Sequence, residues 1–373
     1  MYERFEVEGF RCFEDLKLRD LARINLIAGA NNVGKTALLE AIFVDSGWHN
    51  PTVPFSPDAL RGISVLGFDF VKAIETPWDS LFKDFDSTGR IVFRGYIKET
   101  GVHELKMKVV RQSNELMRVR NYLTRYAYPA PDEKTALESK DRPFASESIL
   151  ALEAIYSSGN KTPRTYYIVL TPRLLQVGPI IFPNPPAPVY TAVFMGSRSR
   201  TLKEDVERFG KLDVEKRTKF LLSTLQVIAP ELADLRVVVK GGSPLIHGDI
   251  GGPRLMPLPL MGEGMTKLAS IALTIADVRN GVILIDEVEN GIHYSIMKNV
   301  WRVIAEASRE FHVQVFATTH SRECIVAAHE AMQESGDYDF RLHRLERVGK
   351  TTKVATLGRA DLSSIIESGF EVR

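Results

Sequence analysis

Residues 23–43 read RINLIAGANNVGKTALLEAIF, and this stretch decides the fold that the sequence predicts. Residues 24–28 are mostly apolar, which is typical of a short strand buried inside a sheet. Residues 29–36 spell GxxxxGKT, and residues 37–43 carry apolar side chains at helical spacing. A strand, a glycine-containing loop and a helix in this order are the context in which GxxxxGKT acts as a phosphate-binding loop.

The chemistry of such a loop explains why these residue types are needed at this spacing. Glycines allow successive backbone N–H groups to turn inward around phosphate oxygens, and the N-terminus of the following helix adds partial positive charge. Lys35 is expected to reach the β- and γ-phosphates of a nucleoside triphosphate, and the Thr36 hydroxyl is expected to hold Mg²⁺. The predicted nucleotide-binding residues of this loop are Gly29, Ala30, Asn31, Asn32, Val33, Gly34, Lys35, Thr36 and Ala37.

A second motif, GVILIDE at residues 281–287, supplies the carboxylates that a phosphate-binding loop needs for its metal ion. Its apolar residues predict a buried strand, and Asp286 at the end of that strand is the second predicted Mg²⁺ ligand besides Thr36. Glu287 follows at once and is placed to polarise a water molecule against the γ-phosphate. An acidic pair at a strand end can also cap a helix, but the phosphate-binding loop favours the catalytic interpretation.

A further buried strand, VQVFATTHS, follows a helix that we predict over residues 295–309. His320 closes this strand. A lone histidine is usually a core or surface residue. A histidine at the end of the strand after an Asp–Glu pair can also contact a γ-phosphate, so we predict that His320 and Glu287 are the catalytic residues.

Residues 258–270, LPLMGEGMTKLAS, place two glycines around a glutamate just before a predicted helix. A GxG pattern alone is common in turns. Its meaning depends on its position, because it precedes the Asp–Glu strand and lies far along the chain from the phosphate-binding loop.

The order of these motifs resembles that of the ABC-type P-loop ATPases. The opening stretch FEVEGFRCFEDLKL resembles the first strands of RecF, SMC and overcoming-lysogenisation-defect (OLD) proteins. The stretches GANNVGKTALLEAIF, DEVENGIHYS and FATTHSRECI resemble those of the OLD-like, RecF-like ATPases of bacteria and archaea. The resemblance covers residues 1–50 and 255–330. It implies ATP and Mg²⁺ as cofactors, and an ATP-dependent homodimer in which Gly262, Glu263 and Gly264 contact a nucleotide held by the opposite subunit.

The resemblance also implies the fold class: α/β, a P-loop ABC-type ATPase head with a mixed central sheet, an antiparallel β subdomain and a short helical insertion. The expected domains are an N-terminal lobe (1–125), a loop with connecting strands (126–200), the helical insertion (201–235) and a C-terminal lobe (236–373). Residues 126–147 are polar and contain proline, which predicts a mobile loop. The insertion is predicted to form two helices broken near Gly210.

The sequence departs from the family pattern at several positions. Gly262 stands where the signature motif has serine, and His293 stands where many ABC proteins have an aspartate. No glutamine precedes Gln112, so the glutamine that couples transporter ATPases to a membrane domain is missing. Arg11 matches the arginine of the GFR opening, and two interpretations stay open: a residue near the nucleotide phosphates or a surface arginine.

The bulk composition limits the class of protein. The chain has 373 residues, 44% hydrophobic residues, 25% charged residues and a net charge of +1. Nothing in the overall charge points to nucleic acid or to a membrane. Two cysteines exclude a disulfide framework and fit a reducing compartment. Because no stretch has the length of a membrane span and the N-terminus lacks a signal peptide, we expect a cytoplasmic protein with no membrane partner.

Residues 90–125 predict a hairpin of strands with a basic surface. RIVFRGYI and HELKMKVV alternate like strands, and LMRVRNYL is predicted to return as another. Lys106 and Lys108 would share one face, and Arg118 and Arg120 another. Such a surface could bind DNA through phosphates, but a solvated sheet face explains the same pattern.

Three functions fit these observations. The first is an ATP-dependent dimeric switch that acts with a partner protein in DNA maintenance or phage defence. The second is a RecF- or SMC-like repair ATPase that binds DNA directly. The third, an ATPase subunit of a transporter, is disfavoured by the missing glutamine. Residues 321–373 leave no room for the Toprim nuclease domain of OLD proteins, so we expect no nuclease activity of its own.

Overall fold

The computed structural model describes residues 1–62, 75–126, 148–172, 174, 178–197 and 202–368. Apart from its first residue, the predicted mobile loop at 126–147 lies outside the described residues. By contacts the chain divides into two compact units. Unit 1 comprises Met1–Arg4, Leu18–Leu39 and Tyr190–Arg373, and unit 2 comprises Phe5–Lys17 and Glu40–Val189. The predicted domain boundaries after residues 125, 200 and 235 stay a prediction.

The strands of the described residues form three sheets. In chain order they are β1 (Tyr2–Phe10), β2 (Phe13–Leu18), β3 (Ile24–Gly29), β4 (Ile91–Ile97), β5 (Gly101–Val109), β6 (Leu150–Ser158), β7 (Arg164–Leu170), β8 (Ile180–Phe182), β9 (Ala192–Met195), β10 (Asp234–Lys240), β11 (Ser243–Asp249), β12 (Met256–Pro257), β13 (Val282–Ile285), β14 (Gln314–Thr318), β15 (Phe340–Val348) and β16 (Thr351–Leu357).

The α-helices formed by the described part of the chain are α1 (Lys35–Gly47), α2 (Ser56–Leu60), α3 (Ser113–Tyr126), α4 (Leu202–Val214), α5 (Thr218–Gln226), α6 (Glu263–Val278), α7 (Tyr294–Glu310), α8 (Arg322–Glu334) and α9 (Arg359–Glu367). The predicted helix over 295–309 is confirmed as α7. Among these helices, none is both long enough and apolar enough to span a bilayer. The cytoplasmic location stays a prediction.

The central sheet of unit 1 has six strands in the order β16-β15-β3-β14-β13-β9. The five strands from β15 to β9 run parallel, and β16 alone runs antiparallel, against β15. The predicted mixed sheet is therefore confirmed. All residues of β3, β13 and β14 are buried, which explains their unbroken apolar runs. Because parallel strands end at one edge of a sheet, the segments that follow β3, β13, β14 and β15 meet there.

Helix α6 is the central helix of the unit 1 core. Its apolar residues recur at helical spacing, so that Met265, Leu268 and Ala272 belong to the same buried cluster as Leu221 of α5 and Phe209 of α4. Burial of each such leucine contributes about 1.5–3 kcal/mol to folding. This packing fixes the N-terminal end of α6, where the predicted signature residues lie.

The break in the helical insertion lies later than predicted. Helix α4 continues through Gly210 and ends at Val214, and α5 begins at Thr218. A glycine inside a helix costs about 1 kcal/mol relative to alanine. Burial of Phe209 and Leu212 on either side offsets that cost. The chain turns instead at Lys216, whose φ of +59° lies in the left-handed region.

Unit 2 is built around a seven-stranded sheet in the order β2-β1-β4-β5-β6-β7-β8. From β4 to β8 each neighbouring pair is antiparallel, which confirms the predicted antiparallel β subdomain. In β5 the side chains alternate. Leu105, Met107 and Val109 are buried, whereas Lys106 and Lys108 occupy the other face.

The predicted return strand at LMRVRNYL is wrong, because these residues belong to helix α3. Val119 and Leu123 are buried four residues apart, and Leu116 packs against the same cluster. That spacing is helical, although the alternating arginines imitate the period of a strand. Arg118 and Arg120 therefore share neither a strand nor one face of the helix.

Candidate active site

The predicted phosphate-binding loop connects β3 and α1. Gly29 ends β3 with a φ of +143°, and a Cβ atom there would lie 2.5 Å from the backbone oxygen of Leu345 in β15. Only glycine fits this approach. Ala30, Asn31 and Asn32 are exposed, and α1 begins at Lys35. The loop is thus exposed after the end of β3 and leads directly into the N-terminus of α1, a position that favours anions.

Lys35 folds back over this loop. Its Nζ donates to the backbone oxygens of Gly29, at 2.8 Å, and of Ala30, at 3.0 Å. Burial lowers the pKa of Lys35, although nearby carboxylates act to raise it. Those carboxylates, in decreasing order of effect, belong to Glu289, Asp286 and Glu287. The positive charge of Lys35 therefore faces the acids that follow β13.

Thr36 and Asp286 meet although 250 residues separate them along the chain. The Thr36 hydroxyl donates to Asp286 at 3.0 Å from Oδ1 and 3.2 Å from Oδ2. Asp286 is buried, and its Oδ1 also accepts from the Thr318 hydroxyl at 2.7 Å. Carboxylate and hydroxyl oxygens are hard donors of the kind that Mg²⁺ prefers, so the residues present fit the predicted ion.

Glu287 has an unusual backbone conformation. Its φ of +50° lies in the left-handed region, and its backbone N–H donates to Thr318 Oγ1 at 2.8 Å. Its side-chain Oε2 accepts from Nδ2 of Asn290 at 2.6 Å. A non-glycine residue in this region costs on the order of 1–3 kcal/mol and is often found where a side chain must point at a ligand. The catalytic role of Glu287 stays a prediction.

His320 lies two residues beyond the end of β14, and its side chain is half exposed. Its Nδ1 is 3.1 Å from Oε1 of Glu289. The motifs did not point to Glu289. The only signal in the sequence is a third acid in DEVEN, two residues after Glu287.

The predicted signature residues lie at the start of α6. Gly262 has a φ of +117°, a conformation that favours glycine, and a Cβ there would meet nothing within 4 Å. A Cβ at Gly264 would lie 3.3 Å from the backbone oxygen of Gly291. Glu263 is exposed in the first turn of the helix. The stretch is therefore an open glycine turn that packs against the loop after β13.

A cavity of about 420 Å³ opens beside the phosphate-binding loop, on the β15 side of β3. It is lined by residues 29–33 and by the end of β15, from Arg344 to Arg347. Strand order places this cavity on the opposite side of β3 from Asp286 and Glu287. The hairpin of β15 and β16 also holds the loop through the Thr352 hydroxyl, which lies 3.4 Å from the backbone oxygen of Val33.

Arg11 lies in unit 2, in a network of ion pairs. Its guanidinium is 2.8 Å from Glu40 and 2.9 Å from Asp58, and its side chain is largely buried. Arg61 pairs with the same Glu40 at 2.8 Å. The surface-arginine interpretation does not fit this burial, and the predicted role near the phosphates stays a prediction.

The lysines of the predicted basic surface are paired with acids. Lys106 is 2.5 Å from Glu104, and Lys108 is 3.3 Å from Glu115 and 3.4 Å from Glu153. Much of the positive charge that the sequence suggested on this face is therefore neutralised locally.

Comparison with known proteins places the motifs in one family. The family described as "AAA domain, putative AbiEii toxin, Type IV TA system" matches residues 24–325, which is more than half of the chain. The chain belongs to this AAA-domain family. The predicted resemblance to P-loop ATPases is thereby confirmed, and the matched residues include every motif of the unit 1 sheet edge.

The AAA-domain chain is similar to several known proteins over different lengths. An ATP/GTP phosphatase of Helicobacter pylori is 21% identical over 361 residues, which span 90% of this chain and 89% of the relative. An uncharacterized protein of Methanocaldococcus jannaschii is 34% identical over 90 residues, 24% of this chain and 78% of the relative. An SMC head bound to the C-winged helix domain of ScpA is 14% identical, with a TM-score of 0.48 and coverage of 98% of this chain and 99% of that one.

Proposed function

We propose that this AAA-domain protein binds ATP with Mg²⁺ and hydrolyses it, and that it works as a nucleotide-dependent homodimeric switch. The contact between the Thr36 hydroxyl and Asp286 carries the proposal. It joins the start of α1 to the end of β13 in the arrangement that a nucleotide-bound Mg²⁺ requires. The similarity to the Helicobacter pylori ATP/GTP phosphatase along nearly the whole chain supports hydrolysis.

Each residue of the site has a proposed task. Backbone N–H groups of residues 29–34 bind the phosphates, and Lys35 leaves its contacts with Gly29 and Ala30 to reach the β- and γ-phosphates. When bound, Mg²⁺ neutralises charge that develops on the phosphate oxygens. Glu287 orients and deprotonates the attacking water, and His320 contacts the γ-phosphate.

The cavity beside the loop supports a nucleotide rather than a small anion. Its volume of about 420 Å³ is within the range of sites for small organic ligands. Because it lies across β3 from the acids, a triphosphate whose γ-end meets Glu287 would direct its nucleoside toward the cavity.

The surface at the start of α6 supports the dimer. Leu260 is 74% exposed and Tyr294 is 70% exposed, and they flank the glycine turn at residues 262–264 and the loop that packs on it. Large apolar side chains exposed beside a polar site are typical of a surface that is covered by a partner. A second copy of this chain would cover them while presenting its helix N-terminus to the nucleotide.

The biological setting of the switch is proposed from the family. Its description names a toxin and a Type IV TA system, which supports action together with a partner protein, and phage defence or DNA maintenance is the setting that we propose for it. Direct binding of DNA by Lys106, Lys108, Arg118 and Arg120 has less support, because both lysines are ion-paired.

Phosphate release from ATP by the purified chain tests the hydrolysis. Asp286→Asn should abolish Mg²⁺-dependent release, since an amide oxygen is a weaker ligand than a carboxylate. Asp337→Asn, an exposed change outside the site, is the matched control and should release phosphate at the wild-type rate. Wild-type protein that releases none with Mg²⁺ present, or an Asp286→Asn variant that is fully active, would refute the proposal.

Light scattering tests the dimer. The variant Glu287→Gln, which should retain ATP, is expected to dimerise with ATP and Mg²⁺. Adding Gly264→Asp should return it to the size seen without ATP, because a carboxylate near phosphates is repelled. Gly264→Ala adds the same Cβ atom, 3.3 Å from the Gly291 oxygen, without the charge, and separates packing from electrostatics. If the aspartate double variant dimerises as well as the single variant, the glycine turn is not part of a shared site.

A further inference from the structure

Glu289 has contacts at the site that the proposed catalytic roles do not use. It lies in the loop after β13, and its side chain is only 11% exposed. One of its oxygens, Oε2, is buried without a hydrogen-bond partner among the residues that the structure describes. A carboxylate this far from water needs donors nearby.

The donors recorded for Glu289 come from two consecutive residues after β14. Oε1 accepts from the Thr319 hydroxyl at 2.8 Å and from the backbone N–H of His320 at 2.8 Å. The same oxygen lies 3.1 Å from Nδ1 of the His320 ring. Two hydrogen bonds and this close approach of the ring nitrogen hold His320 against the loop that carries Glu287.

This contact favours one position for the ring proton of His320. An ionised carboxylate only accepts hydrogen bonds, so a proton on Nδ1 is attracted by Oε1 at 3.1 Å, whereas a lone pair on Nδ1 would be repelled. In the neutral ring Nε2 then has a free lone pair, and it lies on the side of the ring opposite to Glu289. The side chain of His320 is 51% exposed, so the ring is not enclosed by the surrounding protein.

We propose that Glu289 is a positioning residue that holds His320 through Nδ1–H and so presents Nε2 to the γ-phosphate end of the nucleotide. A hydrogen-bond partner on one nitrogen commonly sets the tautomer and the orientation of a functional imidazole. The inference rests on the proposed ATPase function. The two neighbouring glutamates would then have different roles. Glu287, which accepts from Asn290 at 2.6 Å, acts on the water, and Glu289 orients His320.

The tautomer can be measured without any turnover. Protein labelled with ¹⁵N-histidine is examined by long-range ¹H–¹⁵N NMR, and the spectrum of His320→Gln identifies the signals of His320 among the eight histidines. The wild-type ring should carry its proton on Nδ1. Glu289→Ala should move it to Nε2, the tautomer that an exposed imidazole prefers, whereas Glu289→Gln, which keeps an acceptor oxygen, should leave it on Nδ1.

Kinetics test the consequence for hydrolysis. Glu289→Ala should lower kcat about 10–100-fold, the usual effect of losing such an orienting partner, and leave KM for ATP within about twofold. Glu289→Gln should restore most of kcat. Glu323→Ala is the matched control, because Glu323 contacts Ser321 at the start of α8 and should leave both constants unchanged.

A double variant decides whether Glu289 acts through His320. In a His320→Gln background, Glu289→Ala should cost nothing further, since coupled residues are not additive. An additive loss, or a proton on Nε2 in the wild type, would overturn the inference. Should the alanine variant not fold, Glu289→Asp, which withdraws the carboxylate by one methylene, replaces it in both measurements. Wild-type protein without ATP turnover would refute the proposed function. The NMR result would still show whether Glu289 sets the tautomer of His320.

Discussion

The two large sheets of this protein arrange their charged side chains differently. In the parallel part of the unit 1 sheet, Lys35 follows β3, Asp286 and Glu289 follow β13, and the three side chains gather at one edge. In the antiparallel sheet of unit 2, Lys108 lies opposite Glu153 in the strand register and Arg94 lies opposite Glu104, so charges are paired across neighbouring strands. In this protein the ends of the parallel strands collect charged side chains at one edge, and the antiparallel strands pair theirs along their length.

We expect the largest difference between two lysines, one at the edge of the parallel strands and one paired within the antiparallel sheet, and we expect it in the affinity for ATP. Lys35→Ala should weaken ATP binding by at least about 100-fold, roughly 2.7 kcal/mol, because the phosphates lose a direct charged partner. Lys108→Ala removes a lysine that is already paired with Glu115 and Glu153 and should leave ATP affinity unchanged. Binding of radiolabelled ATP to both variants makes the comparison. Wild-type affinity in Lys35→Ala would remove the basis for a phosphate-binding loop.

Two glutamates, one from each sheet, should differ in the same way, but the difference should appear in the rate of ATP hydrolysis. Glu287→Gln should retain ATP and hydrolyse it about 10²–10⁴-fold more slowly, the range expected for a lost general base. Glu153→Gln, its counterpart in the antiparallel sheet, should hydrolyse ATP at the wild-type rate. Single-turnover phosphate release separates the two. Unchanged turnover in Glu287→Gln would move the base to another residue, with His320 the next candidate.

Two buried histidines, one in each sheet, have pKa values that are shifted in opposite directions. Burial lowers the pKa of His343 in β15 from 6.5 to about 3. For His103 in β5, burial acts to lower the pKa, but the charge of Asp45 at 2.8 Å and its hydrogen bond outweigh burial, and the pKa is raised above 6.5. His343 is therefore neutral in the folded protein at pH 5, whereas His103 is held in its charged form there.

The signs of the two stability effects are opposite. The contribution of His343 is complete above pH 6.5 and is lost as the pH falls toward 3, since the unfolded chain then binds the proton more readily. The contribution of His103 is complete below pH 6.5 and is lost as the pH rises through its raised folded value. Urea unfolding from pH 4 to 9 should show His343→Gln flattening the acid side of the profile and His103→Gln the alkaline side. The same slope in both variants would contradict these assignments.

The smallest effect is expected at the paired lysines. Replacing Lys106 and Lys108 by alanine should not change retention of the protein on duplex DNA at about 0.15 M salt, because a paired lysine releases few counterions. A measurable loss of binding, with a shallower dependence on salt, would show that the ion pairs with Glu104 and Glu153 open to accept phosphates.

Sequence alone predicted those parts of the site that are local. The strand, loop and helix around Lys35, and the apolar strand that ends at Asp286, follow from neighbouring residues. Glu289 was missed because its partners, Thr319 and His320, are brought to it only by the parallel pairing of β13 and β14. No local pattern encodes that contact.

The antiparallel unit shows where local patterns mislead. The arginines of α3 alternate as in a strand, and the helical spacing of Leu116, Val119 and Leu123 was hidden behind them. The cavity beside the phosphate-binding loop also could not be foreseen, since it depends on β15 pairing with β3 from the far end of the chain. Long-range pairing of this kind has no signature within either strand.

The place of β3 in the sheet has a consequence for synthesis on the ribosome. Both of its neighbours, β14 and β15, are translated hundreds of residues after it. A nascent chain therefore exposes an apolar strand and a glycine-containing loop long before their partners exist. The backbone of Leu345, against which Gly29 packs, emerges among the last of these segments. The newly made protein should thus acquire affinity for nucleotide only late in synthesis. If translation pauses before β15, the nascent chain should bind chaperones and should not bind nucleotide.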